Sequence, residues 1–380
     1  MDAVPSIIDR VNLLVPGFAE RAPSHDRAAS FPFENFQELS EAGLLALPVP
    51  KALGGAGAGV REATRVVNAV GKADAATALV LAMHYIHHLV ITRNGNWPAH
   101  LAQRVSRDAV NGLALINALR VEPDQGSPSR GGLPQTTAKR TAEGWRMTGR
   151  KIYSTGAPIL KWYTVWAKTD EPDVRVGVFL VPAGLPGTEI VETWDHLGLR
   201  ASGSHDVVFD DVLIPLDNEV DLRRPSDWGA PDVSQATTQA VLVGAVYDGV
   251  ARAARDWLID FLKTRTPSSL GAPLATLPRA QEIVGGIEAK LAVNARLLET
   301  FARDIDEGVA LTPVEANILK LTVTNNAVAV VEDALSLTSN HGLTRANPLE
   351  RHYRDVLCGR VHTPQDDSTK ISAGRIALGI

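Results

Sequence analysis

The sequence predicts an α+β fold in which an N-terminal helical domain, a middle antiparallel β domain and a C-terminal helical bundle follow one another along 380 residues. Three observations point there. Apolar residues at helical spacing occupy about 1–112, short β-branched and aromatic runs occupy 113–218, and helical periodicity returns over 230–380.

In the first segment Phe33, Phe36 and Leu39 recur at helical spacing, and Gly43 marks the helix stop. A Pro- and Gly-rich loop runs from Pro48 to Gly59. Asp74 to Thr92 is rich in Ala and Leu without internal Gly or Pro, which predicts a largely buried helix. In the middle segment, the runs beginning at Trp162, Val176 and Asp206 have strand character. Gly144, Gly149, Pro172 and Gly184 punctuate them, so an antiparallel barrel or sandwich is expected. In the third, Val284, Ile287, Leu291, Ala295 and Leu298 mark one helix face. Thr312-Pro-Val-Glu315 has a Thr cap, Pro at the first helical position and Glu three residues after the cap. The helix it opens is expected to reach about Leu337 and to join a bundle.

Composition narrows the function. Hydrophobic residues make up 45% and charged residues 21%, a globular balance. A net charge of -5 argues against nucleic acid as a main partner, while leaving room for a local basic pocket that takes a phosphate or nucleotide. The single cysteine, Cys358, excludes a disulfide framework and a Cys-based metal cluster. No basic stretch followed by an apolar one opens the chain. The apolar C-terminal stretch is broken by Lys320, Asn325, Asn326, Glu332 and Asp333. A cytoplasmic protein without a membrane partner is the expectation.

Five collinear motifs then make the class specific. They are Phe31-Pro32 through Glu41-Ala-Gly-Leu-Leu45 to Gly54-Gly55, Val121-Glu-Pro-Asp-Gln-Gly-Ser127, Gly149-Arg-Lys-Ile-Tyr-Ser-Thr-Gly-Ala157, Gly198-Leu-Arg-Ala-Ser-Gly-Ser204 with Val208 to Pro215, and Pro348 to Asp355. Together they resemble the acyl-CoA dehydrogenase superfamily over nearly the whole chain. The resemblance implies a four-helix bundle at the C-terminus, a homodimer or homotetramer, and bound FAD, with FMN as the alternative. It implies flavin contacts from Val121, Gly126 and Ser127 in a first loop and from Tyr153, Ser154 and Thr155 in a second. Gln365 joins them from the C-terminal loop. Arg265 lies where the family places an arginine that reaches the flavin phosphates of a neighbouring subunit. An isoalloxazine ring needs short-range donors along its polar edges and apolar faces around them, which loops leaving a rigid β domain can supply.

The chain departs from the dehydrogenase pattern at one place that matters. Where many members carry the Glu that removes a substrate proton, the sequence has Thr363, inside Arg360-Val-His-Thr-Pro-Gln-Asp-Asp367. His362 occupies this loop instead, and His-Thr-Pro here resembles the flavin-dependent monooxygenases built on the same fold, such as dibenzothiophene monooxygenase and amino-sugar N-oxygenases. Those enzymes use O2 with reduced flavin supplied by a separate flavin reductase, on a small-molecule substrate. Imidazole handles protons near neutral pH, which makes His362 the first catalytic candidate, with Thr155 beside the flavin. His84, His87 and His88 fall near one helix face, and His88 is the second catalytic histidine that the resemblance implies. His84 and His88 at four residues' separation have metal-ligand spacing, yet no further ligand suggests itself, so no metal is expected. Two alternatives stay open: an acyl-CoA dehydrogenase with a relocated base, for which Asp248 is the nearby carboxylate, and a non-catalytic flavin-binding relative.

Overall fold

The computed structural model describes residues 6–93, 95–124, 132–228 and 233–380. Among them, five helices come first: α1 (Ile7–Ala28), α2 (Phe33–Glu41), α3 (Val60–Ala73), α4 (Ala75–Arg93) and α5 (Ala99–Asn111). Eight strands follow: β1 (Leu115–Leu119), β2 (Thr137–Arg140), β3 (Trp145–Lys151), β4 (Leu160–Thr169), β5 (Val176–Pro182), β6 (Thr188–Val191), β7 (Asp206–Ile214) and β8 (Glu219–Arg223). The chain then returns to helix with α6 (Val233–Thr264), α7 (Pro278–Asp306), α8 (Pro313–Thr338), α9 (Asn340–Leu343), α10 (Leu349–Leu357) and α11 (Asp366–Leu378). This is the α+β order that the sequence predicts.

The strands form one curled sheet in the order β6-β7-β3-β2-β4-β5-β8, with β1 added beside β4. It is not wholly antiparallel. β1 and β2 both pair with β4 in parallel, because each returns to it through a connection rather than a hairpin. Three long helices, α6, α7 and α8, pack on one another, and the shorter α10 and α11 pack on α8 in the remaining place of the bundle. α6 also packs against α3 and α4, so one apolar core runs from the N-terminal helices into the bundle.

Local chemistry explains the boundaries. The Thr312 hydroxyl accepts from Glu315 N–H at 3.2 Å while the Glu315 carboxylate accepts from Thr312 N–H at 2.8 Å, the reciprocal cap that starts α8. On α7 the apolar stripe is interrupted. Ala295 faces solvent, and Asn294 is buried in its place, donating to Asp248 at 3.1 Å and to the Val323 carbonyl at 3.2 Å. By length and hydropathy α4 would suffice to cross a membrane, although a protein without a membrane partner is expected. Its most apolar window is 78% buried inside the protein, which is the environment of a core helix.

Candidate active site

The two expected flavin loops are tied together at their roots. β3 ends in Lys151, whose ammonium donates to the Glu122 carboxylate just beyond β1 at 2.6 Å, with both side chains shut off from solvent. Glu122 also accepts from Gln135 N–H at 2.6 Å and from the Thr136 hydroxyl at 2.6 Å. Burial alone would raise the Glu122 carboxyl. The Lys151 and Thr136 hydrogen bonds outweigh it, and the group lies below its ordinary value. Burial pushes the Lys151 ammonium down to about 8 against the pull of Glu122. Next to this pair, one residue after Lys151 and one before Glu122, Ile152 N–H donates to the Val121 carbonyl at 3.0 Å, and the two residues form an antiparallel bridge. Val121 therefore stands beside the second loop. Gly126 and Ser127 lie outside the described residues.

The second loop is held by backbone on both sides. Ser154 N–H donates to the His205 carbonyl at 3.0 Å and Gly156 N–H to the Ser202 carbonyl at 2.9 Å. The Thr155 carbonyl accepts from Asn117 Nδ2 at 2.9 Å. Gly156 has φ +79, and a Cβ there would stand 2.9 Å from Val80 of α4, so only glycine lets the loop approach that helix. The Thr155 hydroxyl meets Ser204 Oγ at 3.0 Å, and Ser204 meets Ser202 at 2.8 Å. Ser154 Oγ is buried without a partner. Tyr153, at φ +58, leaves its ring 53% exposed beside Trp194 and His196, whose rings stack at 3.7 Å. A polar edge of hydroxyls next to an open aromatic surface is the environment a flat heteroaromatic ring requires.

α4 brings its histidines against β1 and β4. His84 is a structural residue: its Nε2 bonds the Leu45 carbonyl at 2.9 Å and its Nδ1 accepts from Ile116 N–H at 3.3 Å. His87 bonds the Met83 carbonyl at 2.8 Å through Nδ1 and lies 3.4 Å from the Thr164 hydroxyl through Nε2. His88 is fully buried, yet neither ring nitrogen has a hydrogen-bond partner among the described residues. Its ring stands edge-on to His84 at 4.5 Å. Burial pushes His84 and His87 down to about 4 and His88 well below its ordinary value, so all three are neutral at pH 7.

His362 has a neighbourhood of its own. Its ring lies 5.7 Å from that of Tyr247 on α6, and its Nε2 is buried without a partner, as is the Tyr247 hydroxyl. Lys320 of α8 donates to the Pro364 carbonyl at 3.1 Å and faces Asp366 at 3.8 Å, which anchors the loop. Burial, and then the Lys320 charge, lower His362 to about 4. The expectation of an imidazole titrating near neutrality is thereby corrected: in this environment it is neutral. Thr363 is exposed, and Gln365 is half-buried at the start of α11, its carbonyl accepting from Thr369 N–H at 3.1 Å. Asp248, the carboxylate considered as a relocated base, is already engaged. It accepts from Asn68 at 3.0 Å, Arg252 at 2.7 Å and Asn294 at 3.1 Å. Arg265 is exposed just past α6.

The structure thus brings Val121, Tyr153, Ser154 and Thr155 together, and places the loop against α4. No hydrogen bond or ring contact among the described residues joins His362 to Thr155 or to His88; α4, packed on both β1 and α6, is the element between the two neighbourhoods. Sequence reasoning passed over Glu122, Lys151, Ser202 and Ser204, although each lies inside a motif it quoted. Asn117 carried no signal, and Lys320 was visible only as a charge inside an apolar stretch.

Residues 15–97, 120–212 and 241–366 match, in that order, the N-terminal, middle and C-terminal domains of acyl-CoA dehydrogenase. YdbM of Bacillus subtilis (strain 168), provisionally named an acyl-CoA dehydrogenase, is 33% identical over 364 residues, 95% of this chain and 93% of that one. The L-evernosamine nitrososynthase of a Micromonospora species is 29% identical over 398 residues, 99% of this chain and 90% of that one. Among solved structures, KijD3 in complex with FMN and dTDP-3-amino-2,3,6-trideoxy-4-keto-3-methyl-D-glucose is 30% identical with a TM-score of 0.85, covering 98% of this chain and 93% of that one. Three matched domains in register, on the fold just described, establish that this chain belongs to the acyl-CoA dehydrogenase family.

Proposed function

We propose that this protein is a flavin-dependent monooxygenase: it takes reduced flavin from a separate reductase and uses O2 on a small organic substrate. The observation that carries this reading is the 360–367 loop. A neutral imidazole with an open Nε2 stands beside the position of the family's carboxylate, which here is an exposed threonine. The similarity to a nitrososynthase and to KijD3, whose structure holds FMN, supports it.

The residues present fit a flavin. The unpartnered Ser154 Oγ, the Thr155 hydroxyl and the exposed Tyr153 ring offer hydrogen bonds and an aromatic face at one spot. FAD or FMN bound there supplies the electrons that activate O2. The chain's own residues do the rest. Thr155, held by Ser204, would donate to the polar edge of the ring. His362 Nε2 and the free nitrogens of His88 are uncharged hydrogen-bonding groups, able to hold or pass a proton without bringing a fixed charge into a dry site. Burial of Tyr247, His88 and Ser154 excludes the water that would divert the oxygen chemistry. In a homodimer or homotetramer the exposed Arg265 guanidinium would hold a flavin phosphate of a second copy.

A dehydrogenase reading is favoured by the similarity to YdbM. It needs a free carboxylate, and Asp366, the one nearest His362 on the loop, is held by Asn325 at 2.7 Å and faces Lys320 at 3.8 Å. Anaerobic mixing of the flavin-loaded protein with short- and medium-chain acyl-CoA thioesters separates the two. The oxidised flavin spectrum is expected to stay unchanged, and bleaching by any thioester would overturn the oxygenase reading.

A further inference from the structure

A cleft of about 410 Å³ lies between α1, the end of α3 and residues 345–352, bordered by the N-terminal end of α10. None of the residues that form the two neighbourhoods described above lines it. Two side chains in its wall are buried and unanswered. Arg351 is 8% exposed and His352 is 7% exposed, and among the described residues neither side chain has a hydrogen bond or ion pair. Asp355 acts on Arg351 only at longer range, its own carboxylate accepting from Leu199 N–H at 2.7 Å. A largely buried guanidinium whose nitrogens bond no protein group yet keep contact with solvent is a donor set that a ligand in the cleft can take up.

The charges around it are arranged to leave a cationic surplus. The two carboxylates that line the cleft, Asp26 and Glu350, are both taken by Arg354, at 2.6 Å and 2.8 Å. Arg27 and Arg345 stand exposed at the rim and pair with no carboxylate among the described residues, while Lys72 is paired with Asp256. The positive end of the α10 dipole adds to the same potential. We infer that this cleft is a phosphate-binding site, in which the Arg351 fork takes a phosphate ester or diphosphate between the Arg27 and Arg345 side chains, with His352 as a further hydrogen-bonding group. A rigid fork of N–H donors matches phosphate oxygens two at a time, and its desolvation is offset when the dianion arrives.

The phosphate could belong to the flavin or to a separate phosphorylated ligand, and titration distinguishes them. The full chain is titrated calorimetrically with inorganic phosphate, ADP and FMN at constant ionic strength. Saturable binding of phosphate and ADP is expected. It should weaken at least tenfold in Arg27→Ala/Arg345→Ala, whose side chains support nothing in the fold, and in Arg351→Gln. FMN losing affinity in step assigns the site to the cofactor's own phosphate; FMN unchanged assigns it to a second phosphorylated molecule. No saturable phosphate or ADP binding, or the same affinities in a folded Arg27→Ala/Arg345→Ala variant, overturns the inference.

Discussion

The Lys151 ammonium lies 2.6 Å from the Glu122 carboxylate, and through that buried contact the loop after β1 and the loop after β3 are fixed to each other. Loops alone are poor at holding a ring to within a fraction of an ångström. A buried ion pair at their roots, further bonded by Thr136, makes them part of the rigid sheet.

Breaking this pair from one side should therefore damage both stability and cofactor retention. Lys151→Met leaves an uncompensated buried carboxylate and is expected to cost about 3–5 kcal/mol in urea denaturation. Glu122→Gln/Lys151→Met should recover part of that loss. A single variant as stable as the parent contradicts the role given to the pair.

Acid should unfold the protein well before ordinary carboxylates titrate. The folded-state values of His84, His87 and His362 are lowered to about 4, that of His352 to about 3, and His88 moves the same way. Each neutral imidazole contributes stability that is present above about 6.5 and lost as pH falls towards 4, at about 1.4 kcal/mol per pH unit for each proton taken up. Asp355, raised to about 7 by burial, works in the opposite direction over its own window between about 4 and 7 and offsets one of them. Urea midpoints at pH 7 and pH 5 are expected to differ by several kcal/mol in stability, the lower pH being the less stable. Equal midpoints would mean that these rings are not neutral in the native state.

Thr155 should act on cofactor affinity without acting on the fold. Thr155→Val removes the hydroxyl that meets Ser204 and is expected to weaken flavin binding about tenfold, equivalent to about 1.4 kcal/mol. Thr155→Ser should retain it. Fluorescence titration with FMN and FAD reads both.

His362 should matter to the reaction and little to stability, since its open Nε2 holds no partner. His362→Asn is expected to keep flavin binding while lowering substrate oxygenation about a hundredfold or more, with peroxide released in place of product. His84→Asn is the control for a structural histidine: it should lower stability, because both its ring nitrogens are bonded.

Much of this molecule was legible in the sequence, and the exceptions have physical causes. The cap at Thr312 and the apolar run of α4 act locally, so they read directly. α1 did not, because Pro16 and Pro23 lie inside it; the helix persists through burial of Val11, Phe18 and Ala22. The parallel pairing of β1 with β4 depends on what lies between strands, which period-two alternation does not encode. At the site, the motif residues around Tyr153 to Thr155 were found because they follow one another in the chain. Asn117, which holds the Thr155 carbonyl, and Lys320, which holds the His362 loop, lie 38 and 44 residues from the atoms they bond. Such partners become visible only once the chain is folded.

The most direct test of the oxygenase account is rapid mixing of the reduced flavin–protein complex with O2, followed by absorbance. The account predicts an oxygen-dependent transient that is neither reduced nor oxidised flavin, long-lived in the parent and short-lived in His362→Asn. Single-step return to oxidised flavin at the rate of free flavin, in both proteins alike, would contradict it.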